Sequence, residues 1–387
     1  MFLRLPYTLP KFQLKRFITF QSFEAEEWQS KLQSLNNLSY YTDKKLPNLI
    51  RNYYHIHAGA RLSGVNTIWS SDKTIIDSLN RLSRYVTKLD KDNTVLLARN
   101  LSLMGIKNHE IWKIIETHIV KSTISECIPN DIIALVQSLS SIERDEPKVW
   151  TEIENFLMKN FYPTMRFDSS RCSNLLLGFK TVNQGTPELI QHIINNLCDK
   201  AFEFKSRDIG KIFKALTYEE NFPKELLNKI CQRISEVKEN LLEYDLQRTL
   251  GGLVRYGAND KAIFEMEEHA LENMKTLSLY HISVIAFTYA KYKEKEIQIK
   301  GDRQNFMKSM ELYFTKHNAR ILSTTTGISK DVQELRLMWA FSKTRDFSNL
   351  PLWGNYSKNF QNIQYLSGES QFYVEDLEIS MKNAGLL

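Results

Sequence analysis

"DIGKIFKAL" (208–216) and "DLQRTLGGL" (245–253) begin 37 residues apart and follow one pattern. Each opens on Asp. Apolar residues or Thr then stand one, four, five and eight positions further on. The same pattern recurs along the chain. Asn93 leads Thr94, Leu97–Ala98 and Leu101. Asp131 leads Ile132, Leu135–Val136 and Leu139. Arg171 leads Cys172, Leu175–Leu176 and Phe179, and His281 leads Ile282, Ile285–Ala286 and Tyr289. Asp331 leads Val332, Leu335, then Arg336 in place of an apolar residue, then Trp339. Asp376 opens a worn copy with Leu377, Ser380–Met381 and Ala384. The steps between leading residues are 38, 40, 37, 37, 36, 50 and 45.

A second landmark keeps the same phase. Nineteen residues after each of the first five leading residues lies the end of an apolar doublet: Ile111–Trp112, Val149–Trp150, Leu189–Ile190, Leu226–Leu227 and Ile263–Phe264. Apolar residues at i, i+3, i+4 and i+7 make one stripe of a helix. An Asp or Asn ahead of the stripe reads as an N-cap, its side chain accepting from the free N–H groups of the first turn. A polar break follows, such as "GIKNHE" (105–110) or "YEENFPKE" (218–225), and then a second helix through the doublet. Each unit is therefore a helix hairpin. One hairpin cannot bury its own apolar faces, so hairpins stack. The expected fold is all-α, an α-solenoid of about seven hairpins with a period near 37 residues, over 91–387. Within it, the charged stretch 291–304 absorbs the long step and the C-terminal end is a degenerate cap. Residues 23–90 read as a helical region with a degenerate repeat, "TIIDSLNRLSRYV" (74–86) being a second helix whose partner lies in 48–58.

Composition agrees. The 387 residues are 42% hydrophobic, with only 14 Gly and 9 Pro, which disfavours a turn-rich β fold. No apolar run is long enough to span a membrane. The four cysteines, Cys127, Cys172, Cys198 and Cys231, form no CxxC and read as reduced core thiols. The net charge of +6 is uneven, because Arg4, Lys11, Lys15 and Arg16 precede the first acid, Glu24. That basic, acid-free start, residues 1–22, has the composition of a mitochondrial presequence and points to the matrix.

The unit "LLARNLSLMGIKNHEIWKIIETHIVKSTISECIPND" (96–131) resembles the heptatricopeptide and octotricopeptide units of organellar RNA-binding proteins, and the helical regions of FASTK/RAP-type proteins. The shared features are a Leu/Ala-rich first helix, a Gly or polar turn, a Trp-bearing second helix and a polar stretch ending in Asp. No RAP domain is apparent in 340–387. The resemblance implies roles in transcript stabilisation, processing, translation or ribosome assembly.

No phosphate loop, GxGxxG or HExxH motif is present. Gly251–Gly252 reads as a close-packing site, His118 as a satisfied core histidine, and His55 and His57 point to different faces of a helix. Catalysis is disfavoured, and no cofactor or metal is called for. The functional surface is then a face of the stacked helices. Lys211 and Arg248 stand three residues after the leading residue, where other copies have Leu96, Ala134 and Val284. Arg99, Gln137 and Lys214 stand six after, and Arg255 and Lys291 ten after. These seven are the candidate contacts for single-stranded or ribosomal RNA, and they are expected to be exposed. The near-neutral body equally suits a scaffold that docks other mitochondrial proteins, and a mitoribosome subunit would satisfy both.

Overall fold

The structure is a computed structural model. It describes residues 27–36, 45–65, 67–161, 167–217, 219–294, 303–323, 328–344, 347, 349–359 and 369–386. The expected presequence lies outside these residues. So does most of the charged stretch, of which 291–294 end one helix and 303–304 begin the next. The regular structure of the described residues is all helix, with no strand among them. They fall into two compact units, 1–165 with 181–185, and 166–180 with 186–387.

In the first unit, α1 (Glu27–Asn36) packs on α2 (Leu46–Leu62) and α3 (Lys73–Leu82). Helix α4 (Lys91–Leu103) lies between α2 and α6 (Pro129–Ser141). Helix α5 (Ile111–His118) packs on the 3-10 turn that continues α3, and its own π-turn continuation, Ile119–Thr123, meets α7 (Pro147–Phe161). Alternate helices thus pack side by side.

The second unit repeats this scheme with α8 (Ser169–Thr181), α9 (Pro187–Asp199), α10 (Ser206–Ala215), α11 (Lys224–Val237), α12 (Glu243–Arg255), α13 (Asp260–Glu272), α14 (Leu279–Glu294), α15 (Arg303–Ser323), α16 (Ile328–Thr344), α17 (Leu350–Asn359) and α18 (Glu369–Asn383). Helices α10, α12, α14, α16 and α18 pack in succession, and so do α9, α11, α13 and α15.

The apolar stripes explain this packing. In α4, α6, α8, α10, α12 and α14, the residues four, five and eight after the leading residue are all buried, from Leu97, Ala98 and Leu101 to Ile285, Ala286 and Tyr289. Each Leu or Ile so buried contributes about 1.5–3 kcal/mol relative to exposure. The stripe fails at Arg336, which is half-buried.

Turns are equally regular. Gly105, Glu143, Asn183 and Gly257 adopt positive φ, each twelve residues after its leading residue. The next amide bonds back to the carbonyl that closes the stripe: Ile106 to Leu101, Arg144 to Leu139 and Ala258 to Leu253. This is the Schellman closure of a helix C-terminus. Two second helices are pinned to their turns, as Trp112 Nε1 donates to the Ile106 carbonyl at 2.6 Å and Trp150 Nε1 to the Arg144 carbonyl at 2.8 Å. Not every doublet packs inward, since Phe264 is exposed.

One expectation is corrected. In the six copies from Asn93 to His281 the leading residue is not the N-cap but stands three residues inside it, and Asp376 lies deeper still, in the eighth position of α18. The caps are Asp90 for α4, whose carboxylate accepts from the Asn93 amide, and Asp168 for α8, which accepts from the Arg171 amide. An Asp in the third helical position instead reaches back to the cap amide. Asp131 accepts from the Ile128 N–H at 3.0 Å, and Asp208 from the Lys205 N–H at 3.2 Å. This is the returning half of a capping box.

Candidate nucleic-acid interface

The leading residues do more than cap. Asp131, Asp208, Asp245 and His281 each sit where one first helix meets its neighbour in the same unit. Asp131 on α6 accepts from Lys91 Nζ of α4 at 2.8 Å. Asp208 on α10 accepts from Ser169 and Ser173 of α8, both at 3.3 Å. Asp245 on α12 faces Gly210 of α10, where an added Cβ would lie 2.4 Å from its Oδ1. Burial raises the Asp245 pKa, and the charges of Arg248, Arg207 and Lys211 oppose that shift. On α14 the slot holds His281, buried, with Ser278 Oγ at 2.9 Å from its Nδ1. Burial, aided by the charge of Arg248, lowers its pKa to about 4.

The seven candidate residues divide between the units. Arg99 and Gln137 belong to the first and are exposed. The other five belong to the second, and they are not alike. Lys214 and Lys291 are exposed, as expected. Lys211 and Arg248 are not. The Lys211 side chain is 14% exposed and lies 4.0 Å from Asp208; Arg248 is half-buried, 4.0 Å from Asp245. The cause is the close approach of α10 and α12. With no side chain on Gly210, and with Gly252 leaving room for the Phe213 ring, α10 and α12 pack closely, and Lys211 and Arg248 each lie beside the aspartate one turn earlier on their own helix. Burial lowers the Lys211 pKa to about 8. Arg255 is half-buried as well, its guanidinium 5.3 Å from the Tyr256 ring centre.

What the structure does bring together is a set of cations beside aromatic rings. Lys214 is partly desolvated and close enough to Arg248 for that charge to lower its pKa further. Arg248 lies 5.7 Å from the Tyr244 ring centre, and Lys291 lies 4.7 Å from that of Phe287. Among the described residues, no carboxylate lies within 4.0 Å of Lys214, Arg255 or Lys291. The rings were not singled out from the sequence. The available signal was their position one turn away from the basic residue, Tyr244 before Arg248 and Phe287 before Lys291.

The other chemistry is sparse. The four cysteines are free and buried, and burial pushes Cys127 and Cys172 up to about 12. His118 Nε2 lies 2.9 Å from the Leu89 carbonyl, with Ser122 Oγ on Nδ1. Among the described residues no group of His, Cys, Asp and Glu could hold a metal ion, and no helix is long and apolar enough to cross a membrane. Comparison with protein-family models gives no match, and comparison with curated proteins finds no similar sequence.

Proposed function

We propose that the chain is a helical-repeat protein of the mitochondrial matrix that binds single-stranded organellar RNA, a transcript or an exposed stretch of ribosomal RNA, through its first helices. In this reading the helix pairs are copies of one unit stacked as an α-solenoid. It is supported by the shared place of six leading residues, Asn93 to His281, in their helices, the Schellman closures at one offset and the side-by-side packing of alternate helices within each unit. The observation that carries the RNA reading is the pairing of carboxylate-free cations with rings on α12 and α14, Arg255 with Tyr256 and Lys291 with Phe287. Phosphates need the cations and unstacked bases need the rings. The basic, acid-free segment 1–22 supports the address.

The test is binding of single-stranded RNA across a salt series. Arg99→Gln, Lys214→Gln and Arg255→Gln together should weaken binding and flatten the salt dependence by about 0.7 per charge removed. Lys211 and Arg248 are excluded from this test because their charges face Asp208 and Asp245. Undiminished binding by the triple variant sinks these residues as RNA contacts. No binding by the parent protein sinks the RNA reading.

A scaffold subunit of a mitochondrial complex, docking proteins, is the second reading. It is favoured by apolar side chains exposed where first helices begin, Ile128, Phe202 and Leu242. Recovery of a stable protein assembly that survives ribonuclease would favour it.

A further inference from the structure

We infer that helices α14, α16 and α18 form a platform that takes one nucleotide of a single strand, the phosphate between Lys291 and Arg336 and the base on Phe372. The inference rests on the RNA reading above and adds a subsite to it.

It begins at Arg336, the residue that breaks the apolar stripe. A half-buried guanidinium in a packed layer needs a partner. Here it lies 5.8 Å from the ring centre of Phe287 on α14. Lys291 Nζ lies 4.7 Å from the same centre. Two cations on one ring repel each other, and the quadrupole of one Phe offsets only part of that. Among the described residues neither cation has a carboxylate within 4.0 Å. The acid of this cluster, Asp376 on α18, is already engaged by the Trp339 indole at 2.6 Å and by Lys343 at 2.7 Å. The missing counter-charge is thus one an external anion can supply.

The second component is apolar. Lys291 also lies 5.9 Å from the Tyr373 ring centre, and Tyr373 lies 5.5 Å from the ring of Phe372. Phe372 is 64% exposed. Behind it, Tyr373, Phe287 and Trp339 form a mutually packed triad with centre distances of 5.1–5.2 Å. So a rigid aromatic base presents one open ring beside two uncompensated cations. An acidic peptide would use the cations and leave Phe372 in water. A nucleotide uses both, because its phosphate and its flat base are joined in one residue.

The test compares oligoadenylate and oligouridylate binding to the full chain by fluorescence anisotropy, in a salt series. Phe372→Ala should weaken oligoadenylate about tenfold, leave the salt slope unchanged and narrow the preference for adenine over uracil, since stacking strength is what it removes. Lys291→Gln and Arg336→Gln should each lower the salt slope by about 0.7. Retained thermal melting of each variant separates lost binding from lost fold. If the Lys214 and Arg255 variants weaken RNA but Phe372→Ala and Arg336→Gln do not, the platform is wrong and the RNA reading stands. If the parent binds neither oligonucleotide, both fail. If polyglutamate displaces the oligonucleotide as well as unlabelled RNA does, the site senses charge alone and the base contact is wrong.

Discussion

Lys91 in the first unit and Lys211 in the second both face a leading aspartate, yet their charges meet opposite fates. Lys91 Nζ sits 2.8 Å from Asp131 and 2.9 Å from Asp92, and the hydrogen bonds it donates to these two carboxylates raise its pKa well above 10.5. Lys211 is 4.0 Å from Asp208, too far for a hydrogen bond, and burial lowers its pKa to about 8. The side chains are similarly exposed, at 19% and 14%. What differs is the balance: desolvation by burial is the largest influence on Lys211, while at Lys91 the hydrogen bonds to Asp131 and Asp92 outweigh it. Asp208 is shared among Ser169, Ser173 and the Lys205 amide. Asp131 has only its cap amide and Lys91. A buried charge is stabilised by hydrogen bonds, and proximity to an acid that is spent elsewhere does not replace them.

The sharpest way to break this comparison is alkaline pH, where the two lysines act with opposite sign. The folded pKa of Lys211 lies below its unfolded value of 10.5, so the unfolded chain binds more protons between about pH 8 and 10.5. Its contribution to stability therefore rises across that window, by about 3 kcal/mol for the full shift. Lys91 has a raised pKa, so its contribution is complete below 10.5 and is lost only above it. Urea denaturation from pH 7.5 to 10.5 (roughly the window defined by these shifts) should show Lys211→Met losing the rise. Lys91→Met should run parallel to the parent at lower stability. Identical pH dependence in Lys211→Met and the parent would show that the burial of Lys211 costs nothing.

Close packing of α10 on α12 is the second difference. An added Cβ at Gly252 would lie 2.1 Å from the Phe213 ring, whereas α4 has Asn100 and α6 has Ser138 at the same place in the pattern. Gly252→Ala should destabilise the chain by about 2–3 kcal/mol despite the better helix propensity of Ala, read as a lower urea midpoint. A neutral result would mean that α10 and α12 move apart freely.

The aspartates differ less. Asp208→Ala strips a cap amide of its acceptor and leaves the Ser169 and Ser173 hydroxyls only the Glu203 and Ser170 carbonyls, and should cost about 2 kcal/mol. Asp131→Ala loses an exposed cap amide's acceptor and an ion pair with partly exposed partners and should cost about 1 kcal/mol. Equal losses in thermal denaturation would remove the distinction between the two slots.

Much of this was legible in the sequence. The stripe from Leu97 to Tyr289 placed the first helices, because period and burial are the same fact seen twice. The role of the leading residue was misplaced by three positions. Asp is favoured both as a cap and in the first turn, so residue type alone does not set the phase. Asp90 and Asp168, three residues ahead of Asn93 and Arg171, were the available signal. Burial of Lys211 was signalled too, since Leu96, Ala134 and Val284 hold the same slot in other copies. The platform around Arg336 was not legible. It depends on Phe287 and Tyr373, 86 residues apart, meeting at 5.2 Å, and no local pattern encodes that meeting.

Gly251 gives the smallest effect and the strictest control. It adjoins Gly252 on α12 but faces α14 rather than α10. A Cβ added there would lie 3.6 Å from Thr288 Oγ1, an ordinary contact. The two glycines are adjacent in one helix and carry the same propensity cost, so propensity alone predicts that alanine helps at both. Packing predicts opposite signs. Gly251→Ala should stabilise by up to about 1 kcal/mol, through the loss of unfolded-state freedom and the gain of helix propensity. Gly252→Ala should destabilise by two to three times as much. Differential scanning of the two variants side by side reads the sign directly. If both stabilise, the close approach of α10 to α12 is not enforced by Gly252, and the burial of Lys211 has another cause. If both destabilise, α12 is tightly packed on its α14 side as well, and the contrast lies between the two units rather than between two faces of one helix.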